Sequence, residues 1–174
     1  MKKFLAAFSI VLISLSFLQA APNGVQITVT KQVDKGERPR PEGEGSEARL
    51  VSTLKYDIKV ASAGFADLAD LKVDYIIFVE RQQLGKKKDV DVTVRMKGSD
   101  TIPALTKKEP KTVTSIPVEL SKSNLVGNYT FVNGGRIKVE DSVKGVWVRV
   151  TQGDKLVGEY ANPSTITSRG WDEK

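Results

Sequence analysis

The side chains that could do acid–base chemistry in this 174-residue chain are carboxylate pairs, because it contains no histidine and no cysteine. The commonest general base and metal ligand is therefore missing, and disulfides, thiolate metal sites and thiol nucleophiles are excluded. Three acid pairs have a spacing worth testing against glycosidase chemistry: Asp67 with Asp70, Asp89 with Asp91, and Glu140 with Asp141. All lie beside lysines or in turns, without the aromatic cluster that grips a sugar ring. They are predicted to be turn acids, and the chain is predicted not to be an enzyme.

Two further segments carry residues of metal-binding or catalytic types. The tract DLADLKVD, residues 67–74, gathers oxygens of the kind that Ca²⁺ prefers, but its spacing matches no calcium-loop signature. Ser121 and Ser123 flank Lys122, yet this segment is predicted to be an exposed turn rather than a serine–lysine dyad. Neither glycine-rich stretch opens a helix, as a phosphate-binding loop would. The sequence thus predicts no metal and no cofactor.

Trp147 is the aromatic residue with the most informative setting, in the stretch VKGVWVRVTQGDKLVGEY. Alternating valines predict a strand with three core-facing residues: Val146, Val148 and Val150. Trp147 and Arg149 then point away from the core, and such a pair is enriched at protein interfaces. Trp147 and Arg149 are therefore the predicted interaction surface, unless the C-terminal tail with Trp171 covers them.

The strand that returns after this stretch is predicted to follow a three-residue loop, Gln152-Gly153-Asp154. This register sets Trp147 opposite Glu159, away from the core, and places Leu156 and Tyr160 on the core face. A two-residue turn would shift the pairing by one residue and move Glu159 to the core face. Because burying a carboxylate is costly, the three-residue loop is preferred.

Apolar alternation with period two dominates the rest of the chain. It predicts half-buried strands at Val25–Val29, Leu50–Val60, Val90–Met96 and Ile116–Leu120. Residues 75–79 are continuously apolar and predict a central strand. Pro117 cannot donate to a ladder, which predicts an edge position or a bulge there. Another hairpin is predicted around the glycines at 134–135.

About nine short strands, with no helical periodicity of ten residues or more, predict an all-β fold. The expected architecture is an antiparallel β-sandwich, immunoglobulin-like, forming one domain over residues 21–174. A small closed barrel is the alternative. Residues 34–47, DKGERPRPEGEGSE, are predicted to be a flexible charged loop. The tail from about residue 161 is predicted to be irregular.

The first 20 residues have the order of a secretory signal peptide, with two lysines, an apolar run and then small residues. Cleavage is expected after Ala20, and a retained N-terminal anchor is the alternative. No second apolar run follows, so no transmembrane segment is expected after processing. The mature chain is predicted to be exported to the periplasm or the cell surface.

The formal net charge of +6 is modest, and loss of Lys2 and Lys3 with the signal peptide would lower it. The lysine runs at 86–88 and 107–108 are flanked by acids, and no basic stripe is interleaved with aromatics. Nucleic-acid binding is therefore not expected.

The segment GVWVRVTQGDKLVGEYANPS, with the short N-terminal signal and a long first strand, resembles small exported proteins of mucus-dwelling Gram-negative bacteria. Those proteins are associated with type IV pilus gene clusters and have an immunoglobulin-like fold. The resemblance covers mainly the last 35 residues and transfers no catalytic or binding residue. The chain lacks the long hydrophobic N-terminal helix of pilins themselves. The resemblance thus implies an accessory or surface-associated component.

Taken together, these features predict a non-enzymatic exported protein that acts by protein–protein contact in the cell envelope, as a pilus-associated or accessory component. The alternative is a periplasmic module that binds a glycan or small ligand, with Trp147 as a stacking platform.

Overall fold

The computed structural model describes residues 24–36, 47–64, 67–83, 90–125 and 138–172. These residues form nine strands and one short 3-10 helix, Ser164–Arg169. The strands are β1 (Val25–Lys35), β2 (Glu47–Ser62), β3 (Leu68–Gln83), β4 (Val90–Leu105), β5 (Lys111–Thr114), β6 (Val118–Leu125), β7 (Lys138–Glu140), β8 (Ser142–Gln152) and β9 (Lys155–Asn162).

The strands form two antiparallel sheets that enclose one core between them. One sheet has the order β1-β2-β6-β7, with β5 also paired to β2, and the other has the order β4-β3-β8-β9. Among the described residues, no strand pairs with both sheets. This confirms the predicted all-β sandwich and argues against the closed barrel. Three strands, β2, β3 and β4, span 16 residues each and are not short.

The core faces follow the predicted alternation. Seven residues of β1 and β2 are at most 7% exposed: Val25, Ile27, Val29, Leu54, Tyr56, Ile58 and Val60. The continuously apolar run at 75–79 is buried on both faces and lies in β3, between β4 and β8. Its position in the sheet is therefore central, as predicted. Tyr75 also links the two sheets, because its hydroxyl oxygen accepts a hydrogen bond from the Ile116 backbone N–H (2.9 Å).

Pro117 lies in a break between β5 and β6, which follow the same side of β2. The pairing moves from Thr114 opposite Asp57 to Val118 opposite Leu54, so one extra residue is accommodated between the two strands. Ser115 bridges the break, since its hydroxyl accepts the Tyr56 backbone N–H at 2.9 Å. The irregularity predicted from the missing proline donor is present here.

The predicted register of the β8–β9 hairpin is wrong: Trp147 lies opposite Ala161, and Glu159 lies opposite Arg149. The loop has two residues, because Gln152 pairs with Lys155, and Gly153 adopts the left-handed φ of +56° that such turns require. A bulge then follows at Val157, where the register shifts by one residue. As a result, Val157 is buried in the core and Leu156 is 47% exposed.

That bulge restores the side-chain parity that the three-residue loop predicted for the rest of β9. Tyr160 is opposite Val148 on the core face, and Glu159 is opposite Arg149 on the outer face. The Glu159 carboxylate therefore stays out of the core, where burial would be costly. A bulge achieves this in place of the predicted three-residue loop.

Other predicted segment boundaries differ from those of the structure, and some predicted segments lie outside the described residues. β1 continues through Lys35 and β2 begins at Glu47, so both ends of the predicted 34–47 loop are strand residues. The tail predicted to be irregular from about 161 begins inside β9 and continues as the 3-10 helix. The signal peptide, the centre of the charged loop and the hairpin near 134 lie outside the described residues. In the described part of the chain, no helix has the length and apolar character needed to cross a bilayer.

Candidate functional site

Trp147 faces away from the sandwich core, as its strand parity predicted, but it is only 3% exposed. It belongs to a second apolar cluster on the outer face of the β4-β3-β8-β9 sheet, hereafter the tail cluster. The tail cluster comprises Ile76, Phe78, Trp147 and Ile166, with Ala161 and Trp171 packed against it. Ile166 and Trp171 come from the C-terminal segment, residues 163–171. The C-terminal segment therefore covers Trp147, which is the alternative that the sequence left open.

Arg149 contacts two tryptophans that also contact each other. Its guanidinium carbon lies 4.6 Å from the ring centroids of both Trp147 and Trp171, and the two indoles meet edge to face with centroids 4.8 Å apart. Glu159 completes the group: one carboxylate oxygen accepts hydrogen bonds from Trp147 Nε1 and Arg149 Nε, both at 2.9 Å. Charge pairing and ring stacking thus act on the same guanidinium.

The C-terminal segment is also fastened at its far end, on β4. Arg95 donates to the backbone oxygens of Arg169 (2.7 Å) and Gly170 (3.1 Å). The same guanidinium lies 5.5 Å from the Phe78 ring centroid. The segment therefore crosses the outer face of the sheet from β9 to β4, and Ile76, Phe78 and Trp147 of the sheet lie beneath it.

A cavity of about 340 Å³ adjoins this segment. Its lining residues are Trp147, Arg149, Glu159, Ala161, Ser164 and Thr167. They combine hydrogen-bond donors and acceptors with a small apolar area, which suits a polar ligand. The face of Trp147 is stacked on Arg149, so the predicted open stacking platform is absent from this described site.

The second half of β1 differs from the tail cluster, because nothing in the described chain covers it. Residues 30–35 are exposed on both faces of the strand, and Val33 is 47% exposed. β1 is the edge strand of its sheet and pairs with β2 alone among the described strands. The main-chain groups on its other side are therefore open to another strand. Residues 29–35 are hereafter called the β1 edge.

The two sheets meet at the start of β1 and separate along the β1 edge. At the closed corner, Gly158 of β9 approaches Val25 so closely that an added Cβ would lie 2.4 Å from the valine Cγ2. Beyond it, a cavity of about 250 Å³ is lined by residues of both sheets, hereafter the edge groove. The groove residues are Val29, Lys31, Tyr56, Val143, Lys144, Gly145, Val146, Tyr160, Asn162 and Pro163.

The edge groove is lined by buried apolar and aromatic residues, Val29, Tyr56, Val146 and Tyr160, and by two exposed lysines. Burial, with a smaller contribution from the neighbouring Tyr160, raises the pKa of Tyr56 to about 12. Of the lysines in its lining, Lys144 pairs with Glu80 (2.5 Å). No ion pair joins Lys31 to another residue of the described chain.

Several of the acids considered for chemistry have structural partners among the described residues, whereas Asp89 and the side chain of Asp91 lie outside them. Asp74 pairs with Lys72 (3.0 Å), and Asp67 accepts the Lys107 backbone N–H (3.3 Å). The structure brings the pair Glu140 and Asp141 beside the Ser121–Lys122 segment. There, Lys122 pairs with Glu140 (3.0 Å) and Asp141 accepts the Ser121 backbone N–H (3.0 Å). These contacts fasten β7 to β6.

The β1 edge was not predicted from the sequence. Its signal was present, since Lys31 and Val33 continue the parity of Val25, Ile27 and Val29. Placing the loop boundary at Asp34 concealed this continuation. Glu159 was placed on the correct face but was not assigned its two hydrogen bonds.

Comparisons with known proteins leave the family undefined. The chain matches no protein-family model, and no curated protein matches it significantly. A crystal structure from Akkermansia muciniphila, a mucus-dwelling bacterium, is similar at 15% sequence identity with a TM-score of 0.39. The match covers 91% of this chain and 81% of that one. A likeness at this level carries no inference about function.

Proposed function

We propose that the chain is a non-enzymatic, exported, immunoglobulin-like protein that works by protein–protein contact, with the β1 edge as its contact strand. The observation that carries this proposal is the open β1 edge, which ends in six residues exposed on both faces. An extended segment of a partner can pair with such an edge through main-chain hydrogen bonds. Seven residues are enough, because the mean strand in globular proteins has about five or six.

Export and an envelope location are supported by the N-terminal sequence. The resemblance to pilus-associated proteins supports an accessory role beside a pilus rather than a structural pilin. When the full chain is made in a Gram-negative cell, the mature protein should begin at Ala21 and be recovered outside the cytoplasm. Recovery of the uncut chain in the cytoplasm would contradict export.

Photocrosslinking tests the contact strand directly. A photoreactive residue would replace Val33 or, as the matched control, Leu156, because both side chains are 47% exposed. In a Gram-negative cell that carries type IV pili, Val33 should give a discrete adduct with an envelope protein, and Leu156 should not. The same adducts from both positions, or none from Val33, would contradict the assignment.

A second function is favoured by the cavity beside Trp147. Its paired donors and acceptors support a module that binds a glycan or small polar ligand. A glycan array, followed by titration of tryptophan fluorescence, tests this alternative. Binding that is lost in Thr167→Val but kept in Val33→Thr would favour the cavity over the β1 edge.

A further inference from the structure

The β1 edge has a composition that selects among partner strands. We propose that its partner presents an extended segment in which apolar and acidic side chains alternate on the groove side. This inference rests on the proposed function, since it describes the partner of the same contact strand. The segment would add to β1 and continue the sheet past the edge groove.

The side chains of β1 that point inward carry positive charge along the β1 edge. Lys31, Val33 and Lys35 follow Val29 on this parity, and all three are exposed. The acid of this half-strand, Asp34, has the opposite parity, as does Asp57 of β2. No ion pair joins Lys31 or Lys35 to another described residue. Side chains directly opposite one another share a face, so an added strand would best present acids opposite Lys31 and Lys35.

The same pattern disfavours a second copy of this chain as the occupant. Antiparallel pairing of two β1 edges about Val33 would set Lys31 of one copy opposite Lys35 of the other. Like charges directly opposite each other destabilise a strand pair. The lysines of this edge strand therefore disfavour self-pairing in this register while still allowing an acidic partner.

The edge groove favours an apolar side chain on the partner strand. It begins at Val29 and contains the rings of Tyr56 and Tyr160. A cavity of about 150 Å³ holds benzene, so a groove of about 250 Å³ can admit an aromatic side chain. The residue opposite Val29 is thus predicted to be a large apolar one, and the residue opposite Val33 a smaller one.

The other long free edge lacks this combination. β4 is the edge strand of the second sheet, but Asp100 lies there on the core parity, opposite Val73, and is exposed. Pro103 removes a main-chain donor further along. Inward-pointing charges and proline both hinder the pairing of another strand with an edge, so β4 is a poorer contact strand than β1.

The test uses the folded chain and the peptide Thr-Glu-Thr-Val-Thr-Glu-Thr-Phe-Thr, which matches residues 35 to 29 in antiparallel order. Three peptides serve as controls: one with lysine for both glutamates, one with alanine for phenylalanine, and one N-methylated at alternate residues. Affinities would be measured by titration calorimetry at low salt. The glutamate peptide should bind about tenfold more tightly than the lysine or alanine peptide, and N-methylation should abolish binding. The variant Lys31→Glu/Lys35→Glu should reverse the charge preference.

The outcomes separate this inference from the proposed function. Equal binding of glutamate and lysine peptides, abolished by N-methylation, would overturn the acidic partner and leave strand addition standing. Binding that survives N-methylation would overturn strand addition at this edge. Failure of every peptide to bind would overturn the inference, whereas the crosslink from Val33 would still test the contact strand.

Discussion

The tail cluster and the β1 edge present apolar side chains outside the main core, but only one of them is covered. Trp147 has outward parity and is 3% exposed, because the C-terminal segment crosses over it. Val33 has inward parity and is 47% exposed, because no described residue of the opposite sheet covers it. Strand parity thus gives the direction of a side chain, while a separate segment decides whether it meets water.

The two regions differ in how their charges are used. In the tail cluster, Arg149 is paired with Glu159 and makes cation–π contacts with two indoles, so its charge is compensated within the chain. Along the β1 edge, Lys31 and Lys35 have no ion pair among the described residues. Compensated charges stabilise the fold, whereas exposed lysines without an ion pair among the described residues can pair with an acid of a partner.

The largest expected effect comes from breaking the covered region. Trp147→Ala should lower the free energy of unfolding by about 3–5 kcal/mol, because it removes a buried ring and the contacts of the C-terminal segment. Urea denaturation measures the loss. Trp147→Phe, which keeps a ring but not the N–H donor, should lose clearly less. Equal, small losses for both variants would show that the segment does not cover Trp147.

Alkaline pH should destabilise the protein through Tyr56, in the edge groove. Its pKa is about 12 when folded and about 10 when unfolded. Its stabilising effect is therefore complete below pH 10, falls between about pH 10 and 12, and amounts to about 3 kcal/mol in total. Denaturation at several pH values measures the decline.

Tyr56→Phe is the control for that experiment, because it removes the titrating group and should flatten the decline. A tyrosinate absorbance titration in which Tyr56 ionises near pH 10 would show instead that water enters the groove freely. The apolar character assigned to the edge groove would then be wrong.

A smaller effect is expected where Glu159 joins the tail cluster. Glu159→Gln keeps an acceptor for Trp147 Nε1 but removes the charge opposite Arg149, which should cost about 0.5–1 kcal/mol. This cost should shrink at high salt, since the pair is partly exposed. A loss that is independent of salt would mean that the charge pair contributes little.

Much of this architecture could be predicted from alternation alone. The core parity of β1, β2 and β8, and the central position of β3, follow from apolar periodicity because each sheet buries one face. The turn at Gly153 could not be predicted, because a two-residue turn with a bulge at Val157 and a three-residue loop keep Glu159 on the same face. Local patterns do not distinguish two solutions that satisfy the same burial constraint.

Whether each candidate site is covered or open depends on contacts between segments that are distant in the sequence. Trp147 is covered because Ile166 and Trp171 return across the sheet. The sequence indicated this arrangement only as one of two alternatives. The edge groove arises because β1 and β9 separate after Gly158. The periodicity of apolar residues along a strand does not indicate where two sheets separate.

The smallest expected change in stability is at the open region. Val33→Thr and Leu156→Thr should each change the free energy of unfolding by less than about 0.5 kcal/mol, since both side chains are equally exposed. Only Val33→Thr should weaken binding of the glutamate peptide. A loss of stability confined to Val33→Thr would show that Val33 is packed, and equal weakening by both variants would remove the β1 edge as the binding strand.

Hydrogen exchange on the whole chain compares the two regions in one measurement. We expect fast exchange at those amides of residues 29–35 that point away from β2, and slow exchange at Ile166 and Gly170, whose N–H groups donate hydrogen bonds within the C-terminal segment. Adding the glutamate peptide should slow the β1 edge and leave the C-terminal segment unchanged. Protection of the β1 edge without peptide, or a response confined to the C-terminal segment, would contradict the claim that β1 is the open contact strand.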